Sequence, residues 1–195
     1  MENAQAKLRA AIAAIDPVPE PDLAALVAGF QPCTFAKKEI VVGEGEICHY
    51  LYYMLDGTFR AFLDKDKEYT IAFSYPPFFA ALPTSFLTQN PSRLYLEAVT
   101  ESHCLAIHHR EVAAQLMAHP RLERTFRLFH ERMIIGMQFR ELELVSTTMR
   151  ERFEGFCQRS FHLFARVPHK HIASYLNIDP TNLSKLLRER KQNLV

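Results

Sequence analysis

The sequence predicts an α+β chain in which an antiparallel β-roll is followed by a long helix and a C-terminal pair of short helices. Three observations carry this prediction. Short apolar or alternating runs separated by turn residues fill residues 30–107. A helical apolar period follows over residues 121–148, and a tight turn at Asn177, Ile178 and Asp179 divides two short amphipathic segments near the end.

The β-region contains regularly spaced strands without intervening helices, a pattern typical of an antiparallel roll or barrel. Asp56-Gly57 stands between two apolar runs and predicts a hairpin. The candidate strands are residues 33–35, 39–42, 49–56, 57–63, 69–74, 94–100 and 103–108.

Helical segments flank this region. Residues 4–15 and 22–28 form two predicted helices separated by a proline-rich break, and residues 111–117 form a third. The long predicted helix, residues 121–148, carries two apolar stripes, and a helix on the surface of a monomer needs only one. We therefore expect it to pack on the β-region with one stripe and on the same helix of a second subunit with the other; burial within one chain is the alternative. The first stripe comprises Leu122, Phe126, Phe129, Met133 and Met137, and the second Leu128, Ile135, Phe139, Leu142 and Val145.

The predicted domains are residues 1–120 (N-terminal helices and β-roll sensor), 121–148 (dimerisation helix) and 149–195 (helix-turn-helix). No apolar run is long enough to span a bilayer, and the N-terminus lacks the apolar stretch of a secretory signal. We expect a cytoplasmic protein that does not bind a membrane. Its four scattered cysteines predict reduced thiols and no metal site.

Charge is unevenly distributed along the chain, whose net charge is +1. Residues 150–195 hold nine Lys and Arg against four Asp and Glu, so the preceding part is net acidic. A basic end on a nearly neutral chain favours contact of that end with a polyanion, and a solvated basic tail is the alternative.

The last two helices are typical of a helix-turn-helix that binds DNA. Pro180 starts the second helix, in which Leu183, Leu186 and Leu187 face the core. At the helix tip, Thr181 and Asn182 are expected to reach base edges, with Lys185 one turn further on. Further expected DNA contacts are made by Arg188 and, on the phosphates, by Ser184, His169 and Lys170. We expect no β-hairpin wing after this helix.

The β-region, two-faced helix and helix-turn-helix together resemble the CRP/FNR family of bacterial transcription regulators. The motifs that carry the resemblance are YMLDG at residues 53–57, SFLTQNPSR at 85–93 and IASYLNIDPTNLS at 172–184. The sequence is most similar to the Bacteroidetes-type branch, in which a Pro-Ser-Arg turn replaces the nucleotide-binding signature. The resemblance implies a cyclic-nucleotide-binding-like jelly roll and a homodimer that binds a palindromic operator in double-stranded DNA, with RNA polymerase as a further candidate partner.

The nucleotide signature of that family is degenerate in this chain. The resemblance implies a Gly-Glu pair and an Arg-Ser/Thr pair; Ala80 and Ala81 stand at the first, Pro83 removes an N–H donor, and Ser92 precedes Arg93. We expect no cyclic AMP binding and no required cofactor. The effector is unknown. Haem is left as an alternative effector, with one of the nine histidines as its axial ligand. An apolar effector pocket would be formed by Phe78, Phe79, Ala80, Ala81, Leu82, Ser92, Arg93 and Tyr95, although these side chains could also simply fill the roll.

Two other functions were weighed against a DNA-binding regulator. One is a small-molecule-binding β-roll whose helix-turn-helix is vestigial or contacts a protein. The other is an enzyme, which we do not expect because the sequence lacks a Gly-rich phosphate loop, a nucleophile elbow and paired acids at catalytic spacing.

Overall fold

The computed structural model describes residues 2–192 and contains two four-stranded antiparallel sheets together with eight α-helices. The strands are β1 (Gln31–Phe35), β2 (Ile40–Val42), β3 (Tyr50–Asp56), β4 (Phe59–Asp64), β5 (Glu68–Ser74), β6 (Phe79–Ala80), β7 (Tyr95–Ala98) and β8 (Ser102–His108). The helices are α1 (Glu2–Ala13), α2 (Glu20–Ala28), α3 (Pro83–Thr88), α4 (His109–Ala118), α5 (Pro120–Ser146), α6 (Met149–Ser160), α7 (His169–Leu176) and α8 (Pro180–Gln192), with a 3-10 turn at Phe161–Ala165.

The two sheets pack face to face as a roll. The first has the strand order β1-β8-β3-β6 and the second β2-β7-β4-β5. Phe35 and Tyr52 of the first sheet contact the ring of Phe59 in the second, with ring centroids 5.4 and 5.6 Å away. The α+β prediction is confirmed, and every predicted strand is present. The two-residue strand β6 and the short helix α3 were not predicted because neither is long enough to show a period.

The predicted hairpin at Asp56-Gly57 is wrong. Strand β3 pairs with β6 and β8, whereas β4 pairs with β5 and β7, so the turn joins the two sheets. Gly57 is needed there for another reason. Its φ is +90°, and an added Cβ would lie 2.2 Å from the Ser102 hydroxyl and 2.6 Å from the carbonyl oxygen of Glu101. The close approach of the β7–β8 connection, rather than a hairpin, explains the glycine.

Helix α5 packs on the roll only through its N-terminal part. Leu122 is fully buried, and the Phe129 ring contacts that of Phe79 in β6 at 5.4 Å. Further along the first predicted stripe, Met133 is half-buried and Met137 is exposed, because the helix extends past the roll. In the second stripe Leu128 is half-buried, and the remaining members are exposed: Ile135, Phe139, Leu142 and Val145.

The C-terminal helices form a second apolar core that includes side chains of the roll. Phe153 and Phe156 of α6 pack with Leu176 of α7 and Leu183 of α8. Val99, Phe73 and Tyr75, which belong to the roll, complete this cluster. The roll and the helix-turn-helix therefore share an interface in this structure. The division at residues 120 and 148 stays a prediction.

Helix α8 runs to Gln192, where the described residues end. We expected no β-hairpin wing after α8, but that expectation concerns residues 193–195, which lie outside the described residues. Along residues 2–192, none of the helices combines the length and apolar character that a membrane span requires.

Replacing Gly57 by Ala is predicted to lower the free energy of unfolding by at least about 2 kcal/mol, because the methyl group meets the backbone of residues 101 and 102 at a positive φ. Urea denaturation measures this as a lower midpoint at unchanged slope. Gly45→Ala is the matched control. Gly45 has φ +82° and nothing within 4 Å of an added Cβ, so only the backbone cost of about 1 kcal/mol is expected. Equal losses in the two variants would contradict this account of Gly57.

Candidate nucleic-acid interface

The turn between α7 and α8 is fixed by local backbone interactions. Asn177 ends α7 in the left-handed region, with φ 52°, and its N–H donates to Ala173 and Ser174 carbonyls. Asp179 precedes α8, and its carboxylate accepts the N–H of Thr181 at 2.8 Å. The pKa of Asp179 is lowered, mainly by this bond, so its carboxylate is charged at neutral pH. The predicted turn and the start of α8 at Pro180 are confirmed.

Arg152 of α6 holds this turn from the inside. Its guanidinium is buried and donates to the carbonyl of Leu176 at 2.8 Å, to that of Asn177 at 3.3 Å and to that of Thr147 at 2.5 Å. The first two carbonyls lie at the end of α7, where no intrahelical donor remains and a positive charge complements the helix dipole. Arg152 therefore connects α6 to the helix-turn-helix, a role that the sequence did not show.

The predicted contact residues lie on two neighbouring surfaces. On α8, Thr181, Lys185 and Arg188 are exposed and Asn182 is half-buried. Ser184 is exposed, but its hydroxyl donates to the Pro180 carbonyl at 2.9 Å, so only its lone pairs are free for another contact.

On α7, His169 and Lys170 are both exposed. The Nε2 atom of His169 lies 3.2 Å from the carbonyl oxygen of Phe164. DNA contact by these seven residues stays a prediction.

A buried arginine of the roll contacts the helix-turn-helix. Arg60 in β4 is 1% exposed and donates to the carboxylate of Glu97 at 2.5 and 3.0 Å and to that of Glu68 at 2.7 Å. Its Nη1 also lies 2.5 Å from Nδ1 of His171 in α7. A guanidinium can only donate, so Nδ1 must accept and His171 must be neutral. We call Arg60, Glu68, Glu97 and His171 the Arg60 cluster.

The surroundings of His171 agree with a neutral ring. Burial, reinforced by the Arg60 guanidinium and Lys170, lowers the pKa of His171 to about 4, against the opposing effect of Glu68. The carboxylate of Glu68 accepts a hydrogen bond from Arg60. This bond is the main cause of the lowered pKa of Glu68. Both shifts favour the same arrangement, in which two carboxylates balance the charge of Arg60 and the neutral imidazole accepts a hydrogen bond from its guanidinium.

Several further bonds join the two parts of the chain. Strand β5 is an edge strand, and its Thr70 N–H donates to the Ser174 hydroxyl of α7 at 2.9 Å, which in turn donates to the Glu68 carbonyl at 3.0 Å. The hydroxyls of Tyr75 and Ser160 lie 2.6 Å apart. These bonds occupy part of an edge that would otherwise be open for pairing.

Helix α5 contacts the helix-turn-helix as well. The Arg140 guanidinium lies over the Tyr175 ring of α7, 4.0 Å from its centroid, and donates to the Tyr175 carbonyl. Glu143 accepts from Arg140 and, at 2.8 Å, from Arg159 of α6. The orientation of α7 is therefore set by both the roll and α5.

The structure distributes the predicted effector-pocket residues over different places. Ala80 and Leu82 are buried in the core, Ala81 is half-buried, and Phe79 faces α5. Phe78 and Arg93 are exposed. The role of these residues in effector binding stays a prediction.

Two of the predicted pocket residues have other partners. Ser92 is buried with its hydroxyl donating to the Leu94 carbonyl at 2.9 Å. Tyr95 stacks on Phe62 at 4.9 Å, on the face of the second sheet that carries Arg60 and Glu97.

Two cavities lie elsewhere. One, of about 30 Å³, is lined mostly by apolar side chains of α1, α2, α5 and the first sheet, among them Phe79 and Phe129. The other is an open groove of about 860 Å³ at the mouth of the roll, between the first sheet and helices α2 and α4. Cys33, Phe35, Tyr50, Tyr52 and His108 line it together with Glu111 and Gln115 of α4. Sequence reasoning missed this groove because its residues are far apart in the chain.

Arg60 and His171 were missed as well, although one signal was visible. Arg60 is the single charged residue in the apolar run Phe59–Phe62, where a charge is costly unless it is paired. The sequence could have indicated a buried ion pair, but not that one partner would come from 111 residues away.

The chain thus combines an antiparallel roll, a long helix with an exposed apolar stripe and a C-terminal helix-turn-helix. Residues 32–119, which span β1 to α4, match the family model of the cyclic nucleotide-binding domain. A search of curated protein sequences gave no match.

Three solved structures share the whole architecture. FixK2 from Bradyrhizobium japonicum is 18% identical, with a TM-score of 0.73 over 84% of this chain and 85% of that one. The catabolite activator protein of Thermus thermophilus is 17% identical, with a TM-score of 0.56 over 93% and 87%. The c-di-GMP-responsive regulator CLP of Xanthomonas campestris is 13% identical, with a TM-score of 0.63 over 90% and 93%. The chain thus has the fold of CRP/FNR-type regulators.

Replacing His171 by Asn is predicted to reduce the acid sensitivity of the fold. The pKa of His171 is about 4 in the folded chain and near 6.5 when unfolded, so the unfolded state binds more protons between these values. The stability that the neutral ring provides is complete above pH 7 and lost as the pH falls through 6.5 towards 4, by about 3 kcal/mol. Asn keeps an acceptor for Arg60 and does not titrate.

Urea denaturation at a series of pH values measures this difference. The exposed His103→Asn is the control and should follow the wild-type curve. An H171N variant that loses as much stability as the wild type between pH 7 and 4 would contradict the prediction.

Proposed function

We propose that the protein is a homodimeric DNA-binding transcription regulator of the CRP/FNR type, with α8 as its recognition helix. The observation that carries the proposal is the exposed face of α8, on which Thr181, Lys185 and Arg188 point away from the apolar core of a fixed helix-turn-helix. A recognition helix needs such a free face, with its N-terminal residues at base edges. The fold shared with FixK2 and the catabolite activator protein supports the proposal.

The reading surface has two parts. Thr181 and Asn182 lie in the first turn of α8, where a hydroxyl and an amide can reach base edges, and Lys185 lies one turn further on. Arg188, Ser184, His169 and Lys170 are assigned to phosphates, which fix the position of the helix without reading sequence. Pro180 has no N–H and no polar side chain, so we infer an operator that differs from the best-known one of the family.

We propose α5 as the dimer interface. Ile135, Phe139, Leu142 and Val145 recur at helical spacing and are 52–82% exposed, together with Ile134 and Met137. An apolar surface of this length on one helix marks an interaction site, and a second copy of the same stripe would cover it by parallel packing. A two-fold dimer presents two α8 helices, which accounts for a palindromic operator.

We propose that the roll does not bind cyclic AMP and that the protein requires no cofactor. Among residues 2–192, the buried basic side chains are the cations Arg60 and Arg152 and the neutral His171, and all three face the helix-turn-helix or belong to it. The Ser92 N–H donates to the Glu46 carbonyl at 2.7 Å and is not free for a phosphate. These features, with Ala80 and Ala81 at the family's Gly-Glu position, support a degenerate nucleotide site of the Bacteroidetes type. RNA polymerase is a further proposed partner.

The dimer interface predicts that Phe139→Glu yields a monomer, because a carboxylate at the centre of the stripe would be buried against its own copy. Sedimentation equilibrium measures the change. Met117→Glu is the matched control: Met117 is 86% exposed, but it lies on α4, outside the stripe, and this variant should stay dimeric. A monomeric wild type, or dissociation in both variants, would rule out this interface.

DNA binding predicts a salt-dependent affinity that Lys185 helps to set. Fluorescence anisotropy with DNA from upstream of the protein's own gene, measured across a salt series, should give an affinity that falls steeply with salt because phosphate contacts release counterions. Lys185→Ala should weaken binding roughly tenfold and reduce the salt slope by about 1 if Lys185 contacts a phosphate. Lys37→Ala, at an exposed position beyond β1, is the control and should bind as the wild type does.

If the protein does not bind DNA at low salt, or if its affinity does not change with salt, the DNA-binding proposal is wrong. The alternative, a small-molecule-binding roll with a vestigial helix-turn-helix, would then remain. In the same titration, added cyclic AMP should change neither the DNA affinity nor the melting temperature. A melting temperature that rises with cyclic AMP concentration would overturn the assignment of a degenerate nucleotide site.

A further inference from the structure

Two cysteines that are 71 residues apart in the chain lie opposite each other on neighbouring strands of the first sheet. Cys33 of β1 and Cys104 of β8 are directly opposite in the antiparallel register, and Cys33 Sγ lies 3.7 Å from the Cys104 carbonyl oxygen. Opposed residues in antiparallel strands have Cα atoms about 4.5 or 5.5 Å apart. Both separations lie within the range of about 4.4–6.8 Å that a disulfide requires. Both residues are free thiols in this structure.

The two thiols differ in their access to solvent. Cys33 is half-buried and lines the open groove of about 860 Å³ at the mouth of the roll. Cys104 is 1% exposed and lies beside it on the neighbouring strand, with its Sγ 3.6 Å from the Sδ of Met54. A small oxidant in the groove therefore meets Cys33 before Cys104, which is buried and does not line the groove.

Cys33 also differs from the other cysteines in reactivity. The neighbouring Cys104 side chain, whose effect outweighs burial, lowers the pKa of Cys33, whereas the Cys33 side chain and burial raise the pKa of Cys104. Burial raises the pKa of Cys48 and of Cys157, both of which are buried. Because the thiolate is the reactive form of a cysteine, Cys33, the more accessible of the two, is also the better nucleophile.

We propose that Cys33 and Cys104 form a peroxide-reactive pair in which Cys33 is oxidised and Cys104 resolves the product as a disulfide. The Cys33 thiolate attacks one oxygen of a hydroperoxide, the O–O bond breaks, and the leaving oxyanion takes up a proton. The Cys104 sulfur then attacks the Cys33 sulfenic acid, and its proton leaves with the hydroxyl group as water. Two thiols lose two electrons and two protons, and one equivalent of hydroperoxide is reduced.

The proposal concerns the roll alone and does not depend on DNA binding. It differs from the expectation, drawn from the cysteine spacing, that the four cysteines are simply reduced thiols. The spacing could not show the pair, because register in the sheet brings the two residues together and the chain does not.

Peptide mapping of the reduced full-length protein after treatment with hydrogen peroxide tests the pair. Alkylation in denaturant followed by mass spectrometry should show one disulfide, between the peptides of Cys33 and Cys104, while Cys48 and Cys157 remain alkylated. Cys104→Ser should instead accumulate a sulfenic acid at Cys33, which dimedone traps. Cys157→Ser removes a buried thiol of the helical domain and should leave the disulfide unchanged.

Three outcomes would overturn the proposal. They are a wild-type Cys33 that remains a free thiol under these conditions, oxidation of all four cysteines at similar rates, and conversion of Met54 to its sulfoxide without a disulfide. The wild-type peptide map decides between these outcomes and the predicted one, so the test does not depend on the folding of any variant.

Discussion

The arrangement of the chain depends on the burial of one guanidinium. Arg60 is placed on the outward face of β4, where Glu97 of β7 and Glu68 of β5 balance its charge. The two carboxylates accept three of the five guanidinium N–H groups, and His171 of α7 accepts a fourth from a different part of the chain. A buried charge that lost a partner would be strongly destabilising, so the roll and the helix-turn-helix are constrained to meet in this register.

This constraint bears on the proposed function, because the position of α8 follows from that of α7. Helix α7 is held by the Arg60 cluster from the roll, by Arg140 from α5 and by Arg152 from α6. Three arginines from three elements thus set the orientation of α7, while Thr181 and Lys185 of α8 stay exposed.

Much of the fold could be predicted from the sequence because its signals are local. Alternation gave the strands, the apolar period gave α5, and Asn177 with Pro180 gave the turn before α8. The turn at Asp56-Gly57 shows the limit: its residues predict a reversal, but only the strand pairing in the structure shows that the reversal joins two sheets.

The candidate site was predicted in part for the same reason. The exposed residues of α8 follow from its own period, whereas the partners of Arg60 are 8, 37 and 111 residues away. Tyr95 was placed in an effector pocket, yet alternation along β7 puts it beside Phe62 on the opposite face from Leu96 and Ala98. The sequence could not show which distant residues pair, or which face of a strand a given side chain occupies.

A double-mutant cycle between Arg60→Gln and His171→Ala tests the central claim, that the roll holds the helix-turn-helix through the Arg60 cluster. Urea denaturation at neutral pH gives the free energy of unfolding of the wild type, both single variants and the double variant. The account predicts a coupling energy of at least about 1 kcal/mol, as for residues in one hydrogen-bonded network. Losses that add to within about 0.3 kcal/mol would contradict it, because independent sites behave in that way.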